Sequence, residues 1–454
     1  MRFRGFGEMI RHYAEARPEA PALVFDSSGA PASISFSALE QRIAERAAEL
    51  AAGGHRCLGL LADGTAECVI ECFAAVRAGL QVVLLDGSAW EELLAEQIRM
   101  ADVDLLFGDP DLKEELAPAL HAGAAAEEVR PKQILFFTSG TTASSKAVVL
   151  TEESLCASAY NGGALLPLSP EDRLLCVLPL NHVFGFVCGL LWGLSCGAAV
   201  ALGRGPRHYA DDCAFYRPTA ISAVPLLLGF FLQHDLLNPE LALVLIGAGE
   251  CPPALIDLAR SRGARISFGY GLTETSSGVA LSLGEDPYGM TVCPDDTITL
   301  AEDGEVLIEA PTCMMQGYYK DPEGTRAALP DGKVLRTGDL GEWTEEGLLR
   351  IKGRKKEILV FPDGTKIFLP EYEAGLAPLL PERDFAVIEA GGAPVLAVKG
   401  APEEEAAIAA AIRPRMEALP RGQQIQRIIM IPTPLPRTAT GKIKRWELRQ
   451  KVRG

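Results

Sequence analysis

The sequence predicts an α/β protein with a large N-terminal domain, residues 1–352, and a small α+β C-terminal domain, residues 353–454. Through residues 36–270, apolar β-prone runs alternate with amphipathic helical stretches, as in mixed sheets flanked by helices. From residue 297 to 345, short runs separated by Gly and Asp predict a β-rich subdomain. Residues 353–454 carry 17 Lys and Arg against 12 Asp and Glu, whereas residues 1–352 carry 26 against 48. This change from an acidic to a basic composition predicts a domain boundary between residues 352 and 353.

Apolar periodicity gives the expected order of elements. Residues 1–20 predict a charged amphipathic helix. The elements expected next are helix 36–54, strand 57–61, helix 65–78, strand 81–85, helix 89–100, strand 103–107, strands 134–137 and 147–150, helix 152–162, strand 173–178, a glycine-striped helix from 183, strand 198–202, strand 220–224, helix 226–233, strand 241–247, helix 252–262 and strand 265–270. Such alternation predicts a mainly parallel sheet covered by helices.

Length, charge and cysteine content restrict the class of protein. A chain of 454 residues is long enough for two or three domains. Its 11 Cys have no CxxC or Cys/His ligand spacing, and residues 1–20 do not resemble a signal peptide, so we expect a cytoplasmic protein with free, buried thiols. The net charge of −17 argues against nucleic acid or an anionic membrane as the main partner. The basic C-terminal segment indicates a module that handles anions, or a solvated face.

The segment 183–203 has no charged residue and about the length of a transmembrane helix. However, Gly185, Gly189, Gly193 and Gly197 recur at intervals of four, and no basic flank marks a cytoplasmic side. We therefore predict a buried helix and no membrane span. Its glycine stripe would let another element, or a ligand chain, approach the helix backbone.

The stretch 134–150 predicts a strand, a loop and a second strand, with a loop suited to a triphosphate. Hydroxyl groups surround a glycine whose missing side chain lets backbone N–H groups approach an anion, and a lysine adds positive charge. The residues concerned are Thr138, Ser139, Gly140, Thr141, Thr142 and Lys146. The pattern is not the P-loop GxxxxGK[ST], which leads into a helix. A hydroxyl-rich hairpin loop without a ligand is the alternative interpretation.

Five motifs in order carry a resemblance that runs nearly from end to end. They are TSGTTASSKAV, GAGECPP, YGLTET, RTGDLG with GRKKEI, and PRTATGKIKR. Together they resemble the adenylate-forming superfamily, which includes acyl-CoA synthetases, adenylation domains of nonribosomal peptide synthesis and beetle luciferases. The first motif departs from the usual TSGTTGxPKG at Ala143, Ser145 and Ala147. Because the two alanines replace glycines, we expect a stiffer loop or weaker ATP binding.

The resemblance implies a role for particular residues in binding ATP with Mg²⁺. The loop from Thr138 to Lys146 would hold the β- and γ-phosphates. The other implied nucleotide contacts are Gly247, Ala248 and Gly249 as a wall beside the adenine, Tyr270 with Gly271 as its stacking face, Thr273 near the α-phosphate, Glu274 as the carboxylate for Mg²⁺, Asp339 and Arg354 at the ribose, and Lys356 as the hinge of a mobile C-terminal domain. The alternatives are a core aromatic for Tyr270, a turn cap for Asp339 and solvated charges for Arg354 and Lys356.

Lys442 is the residue to which the resemblance gives the adenylation step. It follows Pro432, Pro434 and Pro436 on a glycine-containing loop. A lysine on such a loop can be carried into a site on the other domain, where its ammonium offsets the charge on reacting oxygens. The implied reaction joins a carboxylate to AMP with release of pyrophosphate, and a thiol then displaces AMP.

The acid and the thiol are less well defined. PLNHVFGF resembles the segment that lines the acyl pocket, with His182 and Phe184 near the carboxylate; a structural His is the alternative. The absence of Asp from 179 to 189 disfavours an amino acid, and Phe184, Phe186, Trp192, Val224 and Leu226 favour a fatty or other apolar acid, with room beside the glycine stripe. Aryl acids remain open. The acceptor is coenzyme A or the phosphopantetheine of an acyl carrier protein, and a non-catalytic nucleotide-binding relative is the remote alternative.

Overall fold

The structure, a computed structural model, describes residues 1–121, 129–138, 146–249, 251–360, 366–391, 393–437 and 443–453. Within them the strands β1 to β24 are, in chain order, Pro21–Ser27, Ala30–Ser35, Cys57–Leu61, Gln81–Leu85, Leu105–Phe107, Gln133–Thr138, Lys146–Thr151, Arg173–Cys176, Ala199–Leu202, Ala220–Ala223, Leu243–Ile246, Arg265–Leu272, Ser277–Ser282, Met290–Val292, Thr297–Leu300, Glu305–Glu309, Gly317–Tyr318, Val334–Trp343, Leu349–Arg354, Ile358–Val360, Lys366–Phe368, Phe385–Ala390, Ala393–Lys399 and Arg427–Ile431.

In the same part of the chain the α-helices α1 to α14 are Phe6–Ala16, Phe36–Ala52, Ala66–Ala78, Glu91–Met100, Pro110–Leu116, Glu152–Leu165, Trp192–Ser195, Asp212–Tyr216, Pro225–Gln233, Pro253–Ser261, Pro322–Ala328, Leu369–Leu376, Glu405–Glu417 and Arg445–Arg453. Hydroxyl caps define several starts. Thr65 accepts a hydrogen bond from the Cys68 amide at the start of α3, and Thr151 forms a capping box with Ser154 at the start of α6.

The largest sheet has 13 strands in the order β15-β16-β18-β19-β14-β13-β12-β11-β10-β8-β9-β1-β2. Strands β12, β11, β10, β8, β9 and β1 run parallel, and the remaining neighbours pair antiparallel. The predicted β-rich subdomain is therefore continuous with the main sheet, which it joins where Met290 of β14 pairs with Leu349 of β19. Ligands of α/β sheets usually bind beyond the carboxyl ends of parallel strands. Here those ends carry the residues after β8, β10, β11 and β12.

A second sheet has six strands in the order β17-β7-β6-β4-β3-β5. Strands β6 and β7 pair antiparallel from Gln133↔Thr151 to Thr138↔Lys146, which confirms the two predicted strands. The main apolar core draws residues from both sheets and from the helices between them, including α1, α2, α3 and α6. The hairpin is thus held rigidly at its base by burial of its apolar face.

The C-terminal part contains the hairpin β20–β21, the three-stranded sheet β22-β23-β24 and helices α12 to α14. Its two apolar clusters draw only on residues from Leu359 onward. The domain boundary at 352/353 stays a prediction, which these separate clusters support. No helix in the described ranges has both the length and the apolar character needed to cross a bilayer.

The segment 183–203 is buried, as expected, but its helix differs from a regular α-helix. Residues Phe184–Leu191 form a π-helix that continues into the short α7 and then into β9. A Cβ on Gly185 would overlap the Pro179 carbonyl oxygen, and one on Gly189 would lie 3.0 Å from the Cys176 sulfur. The stripe therefore packs against protein. The expectation that it leaves room for an acyl chain is wrong.

Candidate active site

The candidate site lies where β11 and β12 end at the carboxyl edge of the large sheet. Tyr270 and Gly271 belong to the last part of β12, and Thr273 and Glu274 begin the 3₁₀ helix that follows. Residues 247–249 follow β11 directly. Because β11 and β12 are parallel neighbours, two of the predicted motifs come together at one edge.

Tyr270, Asp339 and Arg354 form one hydrogen-bonded group. The Tyr270 hydroxyl donates to Asp339 Oδ2 at 2.9 Å, and Arg354 Nε lies 2.9 Å from Asp339 Oδ1. Asp339 and Arg354 are directly opposite each other on the antiparallel strands β18 and β19, which explains the pairing. Burial, followed by the negative charge of Asp339, raises the pKa of Tyr270 well above its usual value. The phenol is therefore a stable donor that orients the carboxylate.

Glu274 and Lys146 are joined through a residue that the sequence did not single out. The Tyr318 hydroxyl donates to Glu274 Oε1 at 2.7 Å, and Lys146 Nζ lies over the Tyr318 ring, 4.2 Å from its centre. Lys146 Nζ also lies 3.4 Å from Asp321 Oδ2. Burial and the charge of Glu274 raise the pKa of Tyr318. A cation and a carboxylate thus lie on two sides of one neutral phenol.

Lys146 and Thr138 form the base of the hydroxyl-rich loop. They are the last paired residues of the β6–β7 hairpin, and the Thr138 hydroxyl donates to the Lys146 carbonyl oxygen at 3.4 Å. The predicted loop residues Ser139, Gly140, Thr141 and Thr142 lie outside the described residues, as do Ala143 and Ser145. Ala147 lies inside β7, where it pairs with Phe137. The expectation that its methyl group stiffens the loop is therefore wrong for this residue.

Residues 247–249 form a wall that contacts the segment after β8. A Cβ at Gly247 would lie 2.8 Å from the ring of Phe184, so only a glycine allows this close approach. Ala248 has a φ of 62°, an uncommon conformation for a residue with a side chain. A Cβ at Gly249 would be 3.5 Å from the Pro225 ring. The wall is therefore fixed by contacts on both sides.

His182 lies just before the π-helix. Its backbone carbonyl accepts a hydrogen bond from the Phe186 amide at 2.9 Å. Its Nε2 is buried and has no hydrogen-bond partner among the described residues. Burial lowers the pKa of His182, partly offset by the charge of Asp86. A neutral imidazole with one unpartnered nitrogen is suited to contact a ligand at this edge.

A narrow apolar cavity of about 20 Å³ lies next to this edge. Its wall includes Cys188 of the π-helix, Leu245 of β11 and Gly278, which pairs with Gly271 of β12. Trp192 also lines it, as expected for an acyl pocket, whereas Leu226 is 73% exposed and Phe186 is packed in the core against Phe6 and Phe136. Of the five residues predicted to form the apolar pocket, only Trp192 lines this cavity.

The site residues fit a magnesium ion that accompanies a triphosphate. Glu274 provides carboxylate oxygens, the donors that Mg²⁺ prefers, and its hydrogen bond from Tyr318 fixes its orientation. No group of three or more His, Cys, Asp or Glu in the described ranges could hold a metal ion alone. Mg²⁺ that accompanies a nucleotide is held by one or two carboxylates together with phosphate oxygens, and Glu274 could serve as one of these carboxylates.

The structure brings together predicted residues from four motifs and leaves two predicted lysines untested. Lys356 lies in the 3₁₀ helix Lys355–Glu357, and Lys442 lies outside the described residues. Tyr318 and Asp321 were missed because nothing local marks them: their partners Glu274 and Lys146 are 44 and 175 residues away in the chain. The one local feature here is a pair of tyrosines, Tyr318 and Tyr319, after a glycine, and this feature alone does not indicate a binding role.

The family model described as AMP-binding enzyme matches residues 10–319. A 2-succinylbenzoate–CoA ligase of Listeria monocytogenes is 25% identical over an alignment of 467 residues, covering 96% of this chain and 97% of the relative. A 3-[(3aS,4S,7aS)-7a-methyl-1,5-dioxo-octahydro-1H-inden-4-yl]propanoyl:CoA ligase of Mycobacterium tuberculosis is 30% identical over 360 residues, covering 74% and 70%. A long-chain-fatty-acid–CoA ligase of the same species is 28% identical over 375 residues, covering 74% and 72%.

A solved structure has the same fold from end to end. The O-succinylbenzoate coenzyme A synthetase of Bacillus subtilis, in complex with ATP and magnesium ion, matches with a TM-score of 0.81 at 24% identity, covering 97% of this chain and 98% of that one. The motifs, the fold and the family match agree. The chain therefore belongs to the family of AMP-binding enzymes, within the adenylate-forming superfamily that its motifs predict.

Proposed function

We propose that this chain is an ATP-dependent, AMP-forming ligase that joins an apolar carboxylic acid to the thiol of coenzyme A. The observation that carries the proposal is the meeting of the Tyr270–Asp339–Arg354 group with Glu274 and Lys146 at one sheet edge. This arrangement offers an aromatic face, a ribose acceptor, a metal-binding carboxylate and a phosphate-binding cation. The CoA ligases among its relatives support the thiol.

The nucleotide contacts follow from the chemistry of each residue. Asp339 would accept hydrogen bonds from the ribose hydroxyls, because Tyr270 and Arg354 hold its carboxylate in place. Lys146 would exchange its contact with Asp321 for the triphosphate, whose greater charge competes for the ammonium. Glu274 would hold Mg²⁺, and the ion when bound offsets the negative charge of the phosphates.

The reaction would proceed in two steps. A carboxylate oxygen of the acid bonds to the α-phosphorus of ATP, and the bond from that phosphorus to pyrophosphate breaks. The thiolate of coenzyme A then bonds to the acyl carbon, and AMP leaves. Lys442 would supply positive charge in the first step, and His182 Nε2 would contact the acid near its carboxylate. The protein would act by positioning and by electrostatic stabilisation.

We propose the acid and the thiol acceptor only as chemical classes, not as single compounds. The relatives are named for succinylbenzoate, long-chain fatty acid, oxalate and indoleacetate, so their names do not restrict the acid. The apolar cavity beside the site favours an apolar acid, either aliphatic or aryl. The basic residues of 353–454 suit the phosphates of coenzyme A and also a phosphopantetheine on an acidic carrier protein.

The test is pyrophosphate release from ATP and Mg²⁺ with a panel of aliphatic and aryl acids, first with coenzyme A and then with a phosphopantetheinylated carrier protein. We expect acid-dependent pyrophosphate and a thioester on coenzyme A. A thioester formed only on the carrier would replace coenzyme A as the acceptor. Absence of pyrophosphate with every acid, despite measurable ATP binding, would contradict the ligase and support the non-catalytic alternative.

A further inference from the structure

The cavity beside the site contains a polar group that the proposed reaction does not use. Ser158 of α6 lines the cavity and is 3% exposed, and its hydroxyl has no hydrogen-bond partner among the described residues. A buried hydroxyl without a partner costs free energy, so most such groups in folded proteins are paired. Because Ser158 lines the cavity, a hydrogen-bond partner for its hydroxyl could lie in the cavity.

The other polar side chains on the wall are already engaged. Trp192 Nε1 donates to the Leu166 carbonyl oxygen at 3.1 Å. The Cys188 sulfur lies 3.4 Å from the Ser277 hydroxyl. The remaining lining side chains are apolar or absent, as at Leu245, Gly162 and Gly278. A ligand group in this cavity therefore meets a single available hydroxyl within an apolar surface.

The dimensions of the cavity restrict what can enter. Its volume of about 20 Å³ holds roughly one water-sized group, and its wall includes Trp192, which is 3% exposed, and Leu281, which is 5% exposed. A long unbranched chain would have to displace these packed side chains, at considerable cost. The cavity therefore has room for one small group at the tip of an acyl tail, and the rest of the tail would lie outside it.

We propose that Ser158 determines specificity by hydrogen bonding one ketone or hydroxyl group at the end of an otherwise apolar acyl tail. This inference rests on the proposed ligase function and narrows its acid. The hydroxyl of Ser158 can donate to a ketone, or donate and accept with a hydroxyl group. An acid that lacks the group leaves Ser158 unpaired and is disfavoured by about ten-fold in kcat/KM.

The experiment compares acids that differ only in this terminal group, such as 6-oxoheptanoate with 6-methylheptanoate, and 3-(4-hydroxyphenyl)propanoate with 3-(4-methylphenyl)propanoate. Pyrophosphate release gives kcat/KM for each acid with the full chain, with Ser158→Ala and with Ser154→Ala. Ser154 lies one turn earlier on α6, and its hydroxyl is used in the capping box. We expect the full chain to prefer the oxygen-bearing member of at least one pair by about ten-fold. In Ser158→Ala that preference falls to about one.

The two variants should have opposite effects on the thermal midpoint and on the preference between acids. Ser158→Ala removes an unpaired buried hydroxyl, so the thermal midpoint stays the same or rises. Ser154→Ala loses the hydrogen bond from the Thr151 amide to the Ser154 hydroxyl, which is one half of the capping box, and lowers the midpoint, but keeps the preference between acids. A preference that survives Ser158→Ala, or no preference in any pair, overturns the inference and leaves Ser158 bound to a structural water only. No pyrophosphate from any acid with the full chain overturns the proposed function, and this inference with it.

Discussion

Asp339 connects two other residues of the predicted nucleotide site, Tyr270 and Arg354. It is 4% exposed, and its two oxygens are contacted by the Tyr270 hydroxyl and by Arg354. A buried carboxylate is tolerated when donors of this kind satisfy it, because an unpaired buried charge is costly. The same donors fix the orientation of the carboxylate, which is what a ribose acceptor requires.

Asp339→Asn should weaken the use of ATP. Loss of the charge weakens each ribose hydrogen bond, because a hydrogen bond to a charged group contributes about 1.5–3 kcal/mol and one between neutral groups about 0.5–1.5 kcal/mol. We expect the KM for ATP to rise by about ten-fold or more, measured by pyrophosphate release at saturating acid. Asp303→Asn is the control, because Asp303 is an exposed carboxylate in the turn between β15 and β16 that pairs with Lys355. Equal effects of the two changes would show that Asp339 acts only on the fold.

Asp296 is a second buried carboxylate, and it has no partner for either oxygen among the described residues. Burial, followed by the charge of Asp295, raises its pKa to about 7, partly offset by Arg2. The folded state therefore binds more protons than the unfolded state between about pH 4 and pH 7, and stability falls as the pH rises through that range.

Asp296→Asn should remove this penalty. At pH 8 we expect the free energy of unfolding to increase by on the order of 2–4 kcal/mol, with little change at pH 4. Chemical denaturation across pH measures both. The ion pair between Arg2 and Asp295 is retained in the variant, so the substitution tests Asp296 itself. A variant that is less stable than the parent at pH 8 would contradict the assigned pKa.

The site could be predicted from sequence only where its residues lie in motifs. Tyr270, Glu274, Asp339 and Arg354 were named from local patterns, and the structure brings each of them to the candidate site, although their roles stay predictions. The contact between Lys146 and Asp321 could not be predicted, because it depends on β17 pairing with β7 across a long sequence separation. A local pattern contains no information on such pairing.

Among the elements, the predicted strands and helices of residues 36–270 match the structure to within a few residues, apart from the helix predicted from residue 183. Strands Cys57–Leu61 and Gln81–Leu85 have the predicted bounds, because both are short apolar runs between clear breaks. The π-helix Phe184–Leu191 was not predicted, since a glycine-rich apolar run has the same composition in either kind of helix. What distinguishes them is tertiary contact: Gly185 lies against the Pro179 carbonyl group.

Gly185→Ala should disrupt the π-helix. The new methyl group would overlap the Pro179 carbonyl oxygen and lie 3.0 Å from that of Leu178, so the helix must shift. We expect a loss of at least about 2 kcal/mol in unfolding free energy. Gly7→Ala is the control, because Gly7 lies inside α1 and a Cβ there meets nothing within 4 Å. Since alanine is the better helix former, that change should stabilise by up to about 1 kcal/mol. Similar midpoints for the two variants would contradict the packing.

For the whole molecule, the superfamily, the α/β fold and the acid–thiol ligase class predicted from the sequence are confirmed. The identity of the acid is not confirmed, because the shape of its pocket depends on how α6, the π-helix and β13 pack. The junction between the two predicted domains has a specific contact: Gly353 has a φ of 140°, and a Cβ there would overlap the ring of Phe368. A larger residue at 353 would therefore alter how the C-terminal part meets the sheet.

The C-terminal part holds both ends of the segment that contains Lys442. Arg437 and Ile443 form an isolated β-bridge, and Arg437 pairs with Asp384 at 2.6 Å. On the other side, Arg445 pairs with Glu373 at 2.7 Å and with Glu357 at 3.2 Å, next to the predicted hinge. These contacts would carry Lys442 with the domain as one unit, which is what its delivery to the nucleotide requires.

Lys442→Ala should therefore separate the two half-reactions. Without the ammonium, the charge that develops on the α-phosphate is not offset, so adenylation slows by about a hundred- to thousandfold. ATP binding should persist, because its predicted contacts lie on the large sheet. Thioester formation from a synthetic acyl-adenylate should also persist, because that step does not need Lys442. Lys444→Ala is the matched control, since Lys444 lies two positions away and pairs with Glu447 at 3.1 Å. Equal loss of both half-reactions in Lys442→Ala, or the same loss in Lys444→Ala, would assign the segment a structural rather than an electrostatic role.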